Sequence, residues 1–252
     1  MQNHEYFNVD GLVVLAHRGG SMFTENTIEA FKASEQAGVF SIETDVRTTK
    51  DGVAILFHDA DLFRVAGIHK KISETNFSDI QNIELIGGGR VPTLVQSLQA
   101  LPLMRFNLDV KDQESVEPTA SAIEVTNSHQ RVLVSSFSEK RRVATLGLIS
   151  KPVATSASSS IVISLWLFHV LHLPQKLIER KLRGIGALQI PRSMYGVKLD
   201  SPSFIAKIRR TGTQLHYWTI NNPQEMLELT RLGATGIVSD VSELAVETLR
   251  KA

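Results

Sequence analysis

Residues 40–58 read Phe40-Ser41-Ile42-Glu43-Thr44-Asp45-Val46, then Thr48-Thr49-Lys50-Asp51-Gly52, then Val53-Ala54-Ile55-Leu56-Phe57-His58. The first run is short and rich in β-branched and large apolar residues, the signature of a strand. Period-two alternation puts Glu43 and Asp45 on one side of it, with Cα atoms ~6.5 Å apart. Asp51-Gly52 between two extended runs is a hairpin signal, and such a hairpin folds His58 back towards the end of the strand.

Seven further runs of the same kind flank this one: Leu12–Ala16, Arg105–Val110, Arg131–Val134, Pro152–Thr155, Ala187–Ile190, Gln214–Thr219 and Gly236–Ser239. Amphipathic segments lie between them, at Glu25–Gln36, Val116–Asn127, Glu139–Leu148, Ser203–Arg210 and Pro223–Leu232. Several are closed by a glycine (Gly38, Gly212, Gly233), the residue that a helix C-terminus favours. Alternating strand and helix implies parallel pairing with right-handed crossovers. Eight such units in 252 residues predict an α/β fold, a (β/α)₈ TIM barrel with a β-hairpin extension after strand two.

The composition narrows the function. Lys and Arg number 27 against 26 Asp and Glu, a formal charge of +1, without the basic excess of a nucleic-acid-binding protein. Cysteine is absent, which excludes thiol nucleophiles, disulfides and Cys-ligated metals. Met1-Gln2-Asn3-His4-Glu5-Tyr6 has no basic segment followed by an apolar one, so a cytoplasmic protein is expected. Ile161–Leu173, the most apolar window, is too short to span a bilayer. It reads as a buried helix, with a membrane-surface patch as the alternative, and no stable membrane anchor is expected.

Strand one ends in Ala16-His17-Arg18-Gly19-Gly20, placing His17 and Arg18 at the C-terminal edge, the face on which barrel enzymes build their sites. Strand three adds Asp109 and, two positions on, Lys111. Glu43, Asp45 and Asp109 on neighbouring strands suit a hard divalent cation, Mg²⁺ or Ca²⁺; the alternative is a salt-bridged polar layer without metal. With a cation present, three carboxylates, Arg18 and Lys111 leave one net positive charge, which a singly charged phosphodiester would neutralise. Arg18 can form a planar fork to phosphate oxygens and Lys111 can act as a point charge. His17 and His58 remain as a proton-transfer pair.

These residues, with Glu25-Asn26-Thr27, Ile42-Glu43-Thr44-Asp45-Val46, His58-Asp59 followed by Leu62 and Arg64, Val91-Pro92-Thr93-Leu94, Leu108-Asp109-Val110-Lys111, Ser136-Phe137-Ser138 and Trp218-Thr219-Ile220-Asn221-Asn222-Pro223, resemble the glycerophosphodiester phosphodiesterase family in order and spacing. The resemblance runs over nearly the whole chain and implies a single catalytic barrel over residues 1–252. It implies His17 and His58 as catalytic residues, Glu43, Asp45 and Asp109 as ligands of one divalent cation (Mg²⁺ or Ca²⁺, with Mn²⁺ a further option), and Arg18 and Lys111 as phosphate contacts. Trp218 is implied as a wall of the substrate pocket. The substrate would be a small-molecule glycerophosphodiester, cleaved to sn-glycerol 3-phosphate and an alcohol: the glycerol hydroxyl beside the ester attacks phosphorus, and water opens the resulting cyclic phosphate. Alternatives are a lysophospholipase D-like enzyme, with Ile161–Leu173 at an apolar entrance, and a non-catalytic phosphodiester-binding barrel. The chain departs from the family pattern at Asp109, where many members carry Glu, at Thr24, where proline is common, and at Val65-Ala66, where threonines are usual.

Other residues have structural readings. Glu25 has two readings, a helix-initial acid at the positive helix end or a residue of the loop after strand one that opens onto the active face; the second is preferred, with Glu25 supporting the substrate site from behind the residues that touch it. His216 alternates with Trp218 and should be a hydrogen-bonded residue of the barrel interior. His169 and His172 lie one helical turn apart but lack a third ligand nearby. Gly87-Gly88-Gly89 follows no strand and reads as a connector. Ser135, Ser136 and Ser138 lack the elbow of a serine nucleophile.

Overall fold

The computed structural model describes residues 4–9, 11–194 and 196–250; Met1, Gln2 and Asn3 of the N-terminal stretch read above lie outside them. The first third contains β1 (Val13–His17), α1 (Ile28–Gln36), β2 (Ser41–Thr48), β3 (Ala54–Leu56), α2 (Phe63–Ala66), α3 (Phe77–Ile80) and α4 (Leu94–Ala100). The middle contains β4 (Arg105–Val110), α5 (Val116–Val125), β5 (Val132–Ser135), α6 (Glu139–Leu148), β6 (Ala154–Thr155), α7 (Ser159–Val170) and α8 (Gln175–Lys181). The chain continues with β7 (Ala187–Ile190), β8 (Ser193–Met194), β9 (Val197–Lys198), α9 (Pro202–Arg209), β10 (Gln214–Tyr217), α10 (Pro223–Leu232), β11 (Gly236–Ser239) and α11 (Ser242–Arg250).

Eight parallel strands follow the order β6-β5-β4-β2-β1-β11-β10-β7. The outer two meet through Gly186 N–H donating to Thr155 O at 3.0 Å and Ala157 N–H donating to Ala187 O at 2.9 Å, so the sheet closes as a (β/α)₈ barrel. β3 pairs antiparallel with β2, Val46 opposite Leu56. The Arg47 side chain then donates to the His58 carbonyl at 2.8 Å, holding that residue beside the strand. Residues 57–104 form an excursion with its own apolar cluster, including Ile55, Phe57, Leu62, Ile72 and Ile80. Ile55 in this cluster belongs to β3, and α4 at the end of the excursion packs through Leu94 and Leu98 into the barrel core, so the segment is anchored to the barrel.

Local signals set the helix boundaries. Thr93 and Gln96 form a reciprocal capping box on α4. Asn222 caps α10, which begins with Pro223 and ends at Gly233 with φ 110°. α1 starts three residues later than the sequence suggests: Thr27 is its cap, and Asn26 takes φ 58°, outside the helical region. Glu25 therefore stands before the helix and not in its first turn. α7 differs from the expected buried helix, because only Ile161, Val162 and Leu165 on it are buried apolar residues, while Ile163, Leu167 and Val170 are exposed. No helix among the described residues is long and apolar enough to cross a membrane.

Polar side chains cross the barrel interior below the rim. Asn107 donates to Gln189 at 3.2 Å, Ser135 donates to Asn107 at 3.0 Å, and Gln189 meets His216 Nδ1 at 3.3 Å. His216 is buried against Gly236, where a Cβ would lie 2.6 Å from the imidazole ring, so the glycine is required by close packing. Burial pushes the His216 pKa down to about 4. The unfolded chain, with an ordinary imidazole, binds this proton first, so the neutral ring's contribution is complete above about pH 6.5 and is lost as pH falls towards 4. Urea unfolding at pH 7 and pH 4 should show that His216→Asn loses less stability over this interval than the parent, by about 3 kcal/mol; equal losses would exclude a neutral buried imidazole.

Candidate active site

The C-terminal ends of the strands enclose a cavity of about 220 Å³, lined by His17, Arg18, Glu43, Asp45, His58, Asp109, Lys111 and Trp218 among others. Strand register assembles its acidic wall: His17 lies opposite Glu43 in the β1–β2 pair, and Asp45 lies opposite Asp109 in the β2–β4 pair. The alternate residues Ile42 and Val46 face the surrounding helices and join the apolar core. One strand thus supplies packing on one side and charge on the other.

Two cations balance these acids. Lys111 Nζ donates to Asp45 Oδ1 at 2.8 Å and to Asp109 Oδ2 at 2.7 Å. Arg18 Nε lies 3.4 Å from Asp45 Oδ2, an oxygen that also accepts from Asn26 at 3.3 Å. Burial alone would raise the Asp45 pKa, but Lys111 and Arg18 outweigh it and hold the group below the usual carboxylate range. Asp109 is raised, because its burial outweighs the attraction of Lys111. Glu43 is pushed up to about 8 by burial and by the neighbouring Asp45 charge, and its Oε2 is buried without a hydrogen-bond partner. Among the described residues, no three His, Asp or Glu side chains stand ready in metal-holding geometry.

Each histidine of the site is tied to a carboxylate. His17 Nδ1 bonds Asp240 Oδ1 at 2.6 Å, and Asn221 donates to the other Asp240 oxygen at 2.7 Å. Burial opposes protonation of His17, but the Asp240 bond and the Glu43 charge prevail, so its pKa is raised. His58 Nδ1 bonds Asp59 Oδ1 at 2.7 Å. Asp59 is held by Arg64 Nε at 2.6 Å, and Arg64 also clamps both oxygens of Glu25, at 2.8 and 2.6 Å. Glu25 in turn accepts from Arg18 at 3.2 Å. It does not line the cavity but stands behind Arg18, coupling this cation to the excursion that carries His58.

The remaining residues keep structural roles. Trp218 meets Phe137 edge-on at 6.0 Å, and Lys111 Nζ lies 5.7 Å from the Phe137 ring centre, so the two aromatics form one wall. Ser135 and Ser136 donate to backbone carbonyls, and Ser138 caps α6. His169 packs edge-on against Phe204. Asp240, Asn221, Asp59 and Arg64 are the supporting residues for which the sequence reading assigned no role. Asp240 directly follows the last barrel strand, so its strand-end position was the available signal.

Fold and site define a (β/α)₈ barrel with paired histidines, clustered acids and two cations on its C-terminal rim, the make-up of a barrel hydrolase. Residues 17–244 match the model of the glycerophosphoryl diester phosphodiesterase family, and the chain belongs to this family. It is 35% identical over 247 residues to a probable glycerophosphodiester phosphodiesterase of Mycobacterium tuberculosis, covering 97% of this chain and 93% of that one. A lysophospholipase D of Rattus norvegicus is 24% identical, with 90% and 82% covered. Among solved structures, a phosphodiesterase of Oleispira antarctica in complex with the product sn-glycerol-3-phosphate superposes with a TM-score of 0.75 at 21% identity, over 95% of this chain and 97% of that one.

Replacing Lys111 by Met leaves Asp45 and Asp109 facing each other without their shared cation. In chelator-containing buffer at pH 7, urea unfolding should show a loss of about 3 kcal/mol; a change below ~0.5 kcal/mol would mean that Lys111 does not neutralise this pair.

Proposed function

We propose that the chain is a cytoplasmic, metal-dependent hydrolase that cleaves a glycerophosphodiester to sn-glycerol 3-phosphate and an alcohol, with His17 and His58 as the proton-transfer pair. One observation carries this reading. Two imidazoles line the same cavity, and each has Nδ1 engaged by a carboxylate, which fixes the tautomer and leaves Nε2 as the exchanging nitrogen. Family membership supports the substrate class, and the product bound to the Oleispira antarctica relative is consistent with it.

The orphaned Glu43 Oε2 and a donor set made only of carboxylates fit a hard divalent cation. Glu43, Asp45 and Asp109 would hold it, with Mg²⁺, Ca²⁺ or Mn²⁺ as candidates. Such an ion, when bound, supplies Lewis-acid polarisation of a phosphoryl oxygen. Asp109 is one methylene shorter than the glutamate common in the family, so its oxygens reach ~1 Å less far.

Arg18 and Lys111 bind and orient the non-bridging phosphate oxygens, relieving the negative charge that builds on them. One histidine takes the proton from the glycerol hydroxyl adjacent to the ester as its oxygen bonds phosphorus. The other protonates the leaving alcohol oxygen as the P–O bond breaks. Water then opens the cyclic phosphate, with proton transfers through the same pair. Trp218 and Phe137 bound the pocket on one side.

With glycerophosphocholine as substrate, His17→Ala and His58→Ala should each lower kcat by ~10² to 10⁴ while thermal melting stays within a few degrees. Near-parental turnover in either variant would remove that residue from the mechanism. The rate of the parent should rise and fall with pH across the imidazole range, because the base is lost below it and the acid above it; a rate that stays level from pH 5 to 9 would contradict the pairing.

A further inference from the structure

The twelve residues of α7, Ser159-Ser160-Ile161-Val162-Ile163-Ser164-Leu165-Trp166-Leu167-Phe168-His169-Val170, contain no Asp, Glu, Lys or Arg. A helix covering a barrel is normally polar on its outer side. Here Ile161, Val162 and Leu165 pack inward with Ile178, Leu182 and Phe204. The outer stripe is Ile163, Leu167, Val170 and Leu171, spaced i, i+4, i+7 and i+8, with exposures of 44%, 43%, 46% and 64%. Four large aliphatic side chains on one face are a contiguous apolar patch, which marks an interaction surface.

What adjoins the patch identifies its partner. α8 packs against α7 and presents exposed Leu177. Lys176, Arg180, Lys181 and, just beyond the helix, Arg183 are also exposed, with Glu179 as the one exposed acid of residues 175–183. Lys181 lies close enough to Glu139 to help lower the pKa of that carboxylate, while Lys176, Arg180 and Arg183 face no acid within ion-pair distance among the described residues. An apolar stripe edged by exposed cations suits an anionic lipid surface: the aliphatic chains enter the acyl boundary while Lys and Arg reach the headgroup phosphates. A two-fold contact with a second copy would bring this basic edge against itself, which disfavours that occupant. At twelve residues α7 is about 18 Å long, too short to span a bilayer but suited to lying in its interface.

We propose that the α7–α8 face docks this protein onto anionic membranes. The first turn of α7 also lines the catalytic cavity through Ser159 and Val162, so the docking face and the site share one helix. The docking is read by binding alone and stands independently of the catalytic reading.

The test is flotation of the full chain with vesicles of phosphatidylcholine alone and of equimolar phosphatidylcholine and phosphatidylglycerol. The parent should bind the anionic vesicles at least about tenfold more tightly, and added salt should weaken this binding. Leu167→Ser with Leu171→Ser, and separately Arg180→Glu with Lys181→Glu, should each reduce it by about tenfold or more. Both variants should hydrolyse glycerophosphocholine in solution at the parental rate. Failure of the parent to float with anionic vesicles would overturn the proposal. So would undiminished binding by both variants, or a parental dimer that the leucine substitutions dissociate, which would assign the face to a second copy.

Discussion

Parallel register across β1, β2 and β4 concentrates three carboxylates at one end of the barrel, and the site depends on how that charge is neutralised. Asp45 and Asp109 are paired across the ladder and both bond Lys111. A one-residue slip of β2 would turn Glu43 and Asp45 outward and bring Ile42 and Val46 into the polar interior. The apolar packing of these outward residues thus holds the chemistry in place. Glu43 is the least satisfied of the three acids: its buried Oε2 has no hydrogen bond, with only His17 Nε2 at 3.8 Å, and its pKa is pushed up to about 8. An unpartnered buried oxygen costs stability unless a cation or proton meets it, and functional sites are where such strain is retained.

The supporting network joins parts of the chain distant in sequence. Asp240 after β11 fixes His17 at the end of β1, and Asp59 fixes His58. Arg64 ties Asp59 to Glu25 and, through it, to Arg18. The excursion over residues 57–104 carries His58 and Arg64 on a separate apolar cluster. The cavity is built on the barrel rim and takes His58 from the excursion, and the Glu25 clamp fastens the excursion to the rim through Arg64 and Arg18.

All eight barrel strands were legible because each is a short β-branched run bounded by turn residues, and β2 showed its two-sided nature directly through Glu43 and Asp45. The residues expected to carry chemistry are together around one cavity, apart from Glu25, which sits behind Arg18. That position agrees with its supporting reading; what the helical pattern concealed is the later start of α1, because Asn26 adopts a left-handed conformation held by Thr44 and Asp45, a tertiary effect that overrides the pattern. The short helices α2 and α3 have too few turns to show periodicity. In α7, apolar composition on every side concealed which face is buried. Asp240 is one acid beside Ser239, and only its position on the completed barrel marks it as the partner of His17.

The central claim is that this site breaks the bond between phosphorus and the alcohol oxygen, leaving phosphate on glycerol. Phosphorus NMR of glycerophosphocholine incubated with the protein and a divalent cation tests it most directly. The account predicts a growing sn-glycerol 3-phosphate resonance that a chelator suppresses; appearance of phosphocholine, or an unchanged diester signal with Mg²⁺, Ca²⁺ and Mn²⁺ alike, would contradict it.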